Sequence, residues 1–82
     1  MSTWADAHPW AKDLPSAKDV KSLRLQVPIG PYLVCYHDDS NGNHYYYISN
    51  GTGESVKERG IDYWTKYQDV LLAAHRLAEG LS

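Results

Sequence analysis

The stretch SNGNHYYYISNG, residues 40–51, most constrains the fold: a short run of strand-forming residues lies between two Asn-Gly pairs. Asn and Gly both tolerate positive φ, so each pair reads as a tight turn, and the segment between them as a strand with a neighbour on either side. Side chains alternate across a strand, so Tyr45, Tyr46 and Tyr47 cannot all enter one core. Some tyrosine must face away from it.

The preceding segment, PYLVCYHDD, is rich in β-branched and aromatic residues and runs into the polar tip DDSNGN. A two-residue turn at Asn41-Gly42 places Tyr36 opposite Tyr47, Cys35 opposite Ile48, His37 opposite Tyr46 and Asp39 opposite His44. A four-residue loop keeps these pairs, whereas an odd-numbered loop changes the parity. In the even register one face carries Leu33, Cys35, Tyr46 and Ile48, and the other Tyr32, Val34, Tyr36, Tyr45 and Tyr47. Beyond Asn50-Gly51, ESVKERG reads as a polar edge strand whose Lys57, Glu58 and Arg59 deter edge-to-edge pairing.

Upstream, Leu23, Leu25 and Val27 alternate with Arg24 and Gln26, which predicts a short strand over 23–27, ended by a turn at Pro28, Gly30 and Pro31. Ser16 with Asp19 three residues on starts a helical turn through Ser22. Near the C-terminus, Thr65 and Gln68 fit a capping box, Gly80 fits the helix end, and Arg76 suits the negative end of the helix dipole. Between them Tyr67, Val70, Leu71, Ala74, Leu77, Ala78 and Leu81 form an apolar stripe, with Lys66, Asp69, Ala73, Arg76 and Glu79 on the other side. The small Ala74 and Ala78 let such a helix lie close to a sheet. Residues 1–15, with Trp4, Pro9, Trp10 and Pro15, show no sustained period and read as an irregular arm whose indoles are anchors, either covering one end of the core or docking on a partner.

These elements predict an α+β fold: a three-stranded antiparallel sheet, four-stranded if 23–27 joins it, with one helix over 65–79 packed on one face. An 82-residue chain supports a single domain over 1–82, comprising the arm and a 16–82 core, with no interior for a large cofactor. Cys35 is the one cysteine; an internal disulfide is excluded, and a buried thiol suits the reducing cytoplasm. The N-terminus MSTWADAHPW has neither a basic start nor a following apolar stretch, and no segment nears the roughly 18 apolar residues of a membrane span.

The net charge is −2, and its distribution is uneven. Residues 32–63 carry Lys57 and Arg59 against Asp38, Asp39, Glu54, Glu58 and Asp62. The tyrosine-rich middle is thus the acidic part of the chain, which works against tracking a phosphate backbone. His37, Asp39 and His44 share a face in the even register and form the nearest approach to a metal set, but no fourth ligand accompanies them. Cys35 and His37, alternate residues roughly 7 Å apart, lack an orienting third group. The expectation is a non-enzyme without metal or cofactor.

One amphipathic helix covers one sheet face. The aliphatic face suits it, which leaves Tyr32, Tyr36, Tyr45 and Tyr47, with Asp38 and Asp39 at the tip, either to be covered by Trp4, Trp10 or the 23–27 strand as a second small core or to serve as a contact surface for a basic protein partner or a second copy of the chain.

From about Pro31 to Gly80, the order YLVCY, turn, HYYYISNG, polar strand, then TKYQDVLLAAHRLAEG resembles the arm-type DNA-binding domain at the front of phage tyrosine-type integrases. The resemblance implies a sheet that enters the DNA major groove, with Lys57 and Arg59 at the basic strand positions. Asp38, Asp39, Glu54 and Glu58 oppose phosphate there. The preferred expectation is therefore protein binding, as in a phage or mobile-element accessory protein that inhibits a host complex, with a DNA-binding module as the alternative.

Overall fold

The computed structural model describes residues 8–80. Strands Val27–Ile29 (β1), Tyr32–Asp38 (β2), His44–Ser49 (β3) and Ser55–Val56 (β4) form one antiparallel sheet in sequential order. Helices Ala17–Leu23 (α1) and Tyr67–Glu79 (α2) supply Val20, Val70, Leu71 and Ala74 to a core shared with Val27, Val34 and Ile48 of the sheet. The expected α+β architecture is present, with the fourth strand.

Several local expectations shift. In α1, the Ser16 hydroxyl accepts from the Asp19 N–H at 3.2 Å, as its spacing predicts, but the helix runs through Leu23 and ends on Arg24 in a left-handed conformation, φ 55°. The 23–27 strand is therefore displaced to Val27–Ile29. Pro28 lies inside it, tolerated because β1 is a sheet edge where a missing N–H does least harm. At the following turn Gly30 has φ +60°, and a Cβ there would sit 2.8 Å from that of Ala78. The turn leans directly on α2, as the small Ala78 allows.

The Thr65–Gln68 capping box does not form: α2 begins at Tyr67, with Lys66 at its N-cap and no side-chain cap bond. Tertiary contacts set this start instead. The backbone of Trp64 exchanges bonds of 2.7 and 2.8 Å with Tyr46 of β3, and the Tyr67 hydroxyl donates to the Pro15 carbonyl at 2.7 Å. Burial pushes the Tyr67 phenol up to about 12. Ala73, on the polar side by spacing, is fully buried. Arg76, one turn along, donates to Glu58 at 2.8 Å, which closes that flank of the helix.

The central hairpin departs from the even register by one residue. Cys35 pairs with Tyr47, Tyr36 with Tyr46, His37 with Tyr45 and Asp38 with His44. The cause is a three-residue loop, Ser40–Gly42, closed by Asp39 N–H to Asn43 O at 3.0 Å and Gly42 N–H to Asp39 O at 3.2 Å. The Asp39 carboxylate organises it, accepting from the Asn41 N–H at 3.0 Å, the Asn43 N–H at 3.1 Å and the Asn43 side chain at 3.2 Å. Gly42 takes φ +86°, the left-handed position that follows a type I turn in a bulged hairpin.

The next turn repeats this design. The Asn50 side chain accepts from the Thr52 N–H at 2.9 Å and the Glu54 N–H at 3.1 Å, and Gly53 has φ +88°. In both turns an Asp or Asn lies three residues before the glycine that must be left-handed. The Asn-Gly pairs themselves are not two-residue turns.

An odd loop inverts one strand relative to the other. β3 faces as expected, with Tyr46 and Ile48 inward, but β2 is turned over. Tyr32, Val34 and Tyr36 lie on the helix side and Leu33, Cys35 and His37 on the outside. Among the described residues, the buried Tyr46 hydroxyl has no hydrogen-bond partner.

After β4 the chain leaves the sheet and returns. Val56 pairs with Ile48, but the next residue to bridge β3 is Trp64, opposite Tyr46, so residues 57–63 form an excursion from the edge. A tight turn shapes it: Glu58 and Ile61 exchange backbone bonds of 2.9 and 3.0 Å, with Arg59 at φ 55° and Gly60 at φ 79°. Glu58, only 7% exposed, anchors the excursion to α2. Its carboxylate meets Arg76 at 2.8 Å and Arg59 at 3.1 Å, and the Arg76 hydrogen bond holds its carboxyl below the usual glutamate range.

Three measurements check this fold. Gly42→Ala and Gly53→Ala should each cost about 1–2 kcal/mol through the left-handed backbone, while Gly51→Ala, with negative φ and open space, should be neutral; equal losses at Gly51 and Gly53 in urea unfolding would contradict the turn assignment. Tyr46→Phe removes a buried donor without an acceptor and should stabilise by up to about 1 kcal/mol; destabilisation would reveal a partner for that hydroxyl.

The third concerns acid. Because folding depresses the Glu58 pKa, its contribution is complete above the ordinary value of 4.5 and fades as pH falls through the lower folded value. Glu58→Gln should therefore weaken the protein at pH 7, by about 1 kcal/mol, and flatten its stability profile below pH ~4.5. A parallel profile in the variant would exclude Glu58 as the titrating anchor.

Candidate functional site

With both helices on one side, the other side of the sheet has no covering layer among the described elements. His37 of β2 and Tyr45 and Tyr47 of β3 stand on it by register, and the 57–63 excursion brings Tyr63 alongside. The rings are in contact: His37 to Tyr45 at 4.9 Å, Tyr45 to Tyr47 at 6.4 Å, and Tyr45 to Tyr63 at 5.6 Å between centroids. Tyr63 is 57% exposed; Tyr45 and Tyr47 are half-buried. Beside them Cys35 and Ser49 are buried, with Sγ and Oγ 3.7 Å apart. Burial pushes the Tyr47 phenol up.

A hollow of about 310 Å³ opens between these rings, lined by His37, Tyr45, Tyr47, Ser55, Asp62 and Tyr63. A second, of about 560 Å³ at the loop end, shares Tyr45 and Tyr63 and adds Asp39 and His44. Neither is lined by a lysine or arginine. Hydrogen bonds led by the Asn43 N–H hold the Asp39 carboxyl below its usual range. The site is aromatic and acidic.

The structure divides the expected contact set. Tyr45 and Tyr47 are on the open face, but Tyr32 and Tyr36 pack against the core from the helix side, because the odd loop turned β2 over. Tyr36 lies 5.2 Å from Tyr46 and beneath the cations of Lys21 and Arg24, each 5.9 Å from its ring. Asp38 is paired with Arg24 at 2.6 Å, and Asp39 is engaged in its loop.

The same inversion separates the histidines. His37 and Asp39 approach within 3.8 Å, but His44, in register with Asp38, lines the loop-end hollow and not the one that holds His37, its Nδ1 3.0 Å from Gly42 O. The described residues contain no group of three metal-ligating side chains. His75 stacks flat on Trp10 at 4.1 Å, and His8 meets the edge of that indole at 6.0 Å. Trp10 thus docks on α2, whereas Trp4 lies outside the described residues.

Tyr63 is the site residue that strand pattern missed. A usable signal was present: Tyr63 and Trp64 are adjacent aromatics, and once Trp64 is placed inward, alternation sends Tyr63 outward.

A larger hollow, about 600 Å³, lies on the helix side between the N-terminal segment and the start of α2. Its walls include Leu14, Tyr46 and Leu71, with Lys12, Lys21 and Lys66 among its polar residues, and no His, Cys, Asp or Glu among the described residues lines it.

Among the described residues, no helix is long and apolar enough to cross a membrane. No protein-family model, curated protein or solved structure matches the chain.

Proposed function

We propose that this protein is a non-enzymatic binding module that docks another protein on its open sheet face, through Tyr45, Tyr47 and Tyr63 with His37 beside them. The observation that carries the reading is the Tyr45 ring in contact with both Tyr47 and Tyr63, all three partly exposed, on a face that no described element covers. Tyrosine gives rigid contact area at low entropic cost and keeps its hydroxyl hydrated until a partner arrives. A contiguous aromatic patch of this kind typically has a use.

Asp39 and Asp62 in the hollows favour a partner with basic character over a phosphate backbone, which their charge repels. Stoichiometric occupation of a surface suits a small accessory protein that inhibits a larger complex, and the lone thiol suits a cytoplasmic setting.

The test pairs affinity with stability. Tyr45→Ala combined with Tyr47→Ala should abolish co-purification of the partner while shifting the melting temperature by only a few degrees. Tyr36→Ala, on the covered face, should instead destabilise by about 2 kcal/mol or more. Partner retention by the double variant sinks the reading. Concentration-dependent dimerisation lost in the double variant would assign the face to a second copy, and salt-sensitive binding to duplex DNA would favour the integrase-like alternative.

A further inference from the structure

We infer that the hollow between Tyr45, Tyr47 and Tyr63 is a receptor for an arginine side chain of the docked partner, with Asp62 as its counter-charge. This rests on the docking reading and names the contact that anchors it. The Tyr45 ring stands at 61° to both Tyr47 and Tyr63, so the rings border a recess without stacking shut. At about 310 Å³ the recess has room for a long side chain.

Three tyrosine rings line it, and the π density of a ring face attracts a cation within about 6 Å of the ring centroid. Asp62 adds a carboxylate that forms no ion pair among the described residues, and Ser55 adds a hydroxyl acceptor. Among the described residues no lysine or arginine lines the recess, and His37 is the one basic side chain at its wall.

The covered face shows what these tyrosines lack: there Tyr36 has Lys21 and Arg24 over its ring, each at 5.9 Å. Tyr36 thus has its cations from within the chain, whereas no described lysine or arginine lines the recess of the outer three.

Arginine fits better than lysine on physical grounds. Its planar, weakly hydrated guanidinium can lie against one ring while its N–H groups reach a carboxylate and a hydroxyl together. An ammonium keeps more of its water and offers no plane to stack.

The experiment uses the full chain and three capped tripeptides, Gly-X-Gly, with X as arginine, lysine or citrulline, the uncharged shape analogue of arginine. Aromatic resonances of Tyr45, Tyr47 and Tyr63 are followed by NMR. The arginine peptide should give saturable shifts confined to these rings and His37. Citrulline should bind about tenfold more weakly, lysine less tightly than arginine, and Asp62→Asn should remove about tenfold of the arginine affinity without changing that of citrulline. Equal binding of citrulline and arginine, tighter binding of lysine, or shifts only elsewhere on the protein would overturn the inference. If the peptides fail while Tyr45→Ala with Tyr47→Ala still releases the partner, the inference falls and the docking reading stands. If the double variant keeps its partner, both fall.

Discussion

The Asp39 carboxylate is the contact on which the rest of the arrangement depends. By gathering the amides of Asn41 and Asn43 it favours a three-residue loop over a two- or four-residue one. Loop parity then decides which side of β2 meets the helices, because side chains alternate with a period of two. From that single choice follow the burial of Val34, the packing of Tyr36 beneath Lys21 and Arg24, the outward placement of His37, and the separation of His37 from His44.

Two kinds of tyrosine result. Tyr36, Tyr46 and Tyr67 form a chain of ring contacts, 5.2 and 5.4 Å, that serves as core between sheet and helices. Tyr67 meets the polar requirement of its hydroxyl through Pro15, while Tyr46 leaves its own unmet. Tyr45, Tyr47 and Tyr63 form a second cluster outside, where hydroxyls can be hydrated and rings remain available. Tyr63 reaches that cluster only because Glu58 is fastened to Arg76 on one flank and Trp64 rejoins β3 on the other. The excursion between them is thus a device that adds an aromatic to a face the strands alone would leave with two.

Charge and shape agree on this face. Among the described residues, its recesses are lined by aspartates and histidines without a lysine or arginine, whereas the hollow on the helix side is lined by three lysines and no carboxylate. The hollows thus differ in charge despite a net charge of only −2.

The sequence by itself determined the elements: turn residues around 40–53, strand-rich segments on either side, a capped turn at Ser16, and an amphipathic helix with small residues where it must approach the sheet. It also determined that neighbouring tyrosines must divide between faces. Which tyrosines went inward was decided by tertiary structure. Asn-Gly dipeptides and the Asp-x-x-Gly and Asn-x-x-Gly spacings support turns of different parity, and only the side-chain bonds of Asp39 and Asn50 chose between them. The start of α2 was likewise settled by Trp64 pairing with Tyr46, which overrode a local capping signal worth about 1 kcal/mol. Tyr63 became part of the site because an ion pair between residues 58 and 76 holds its loop, a contact that no local pattern in the chain encodes.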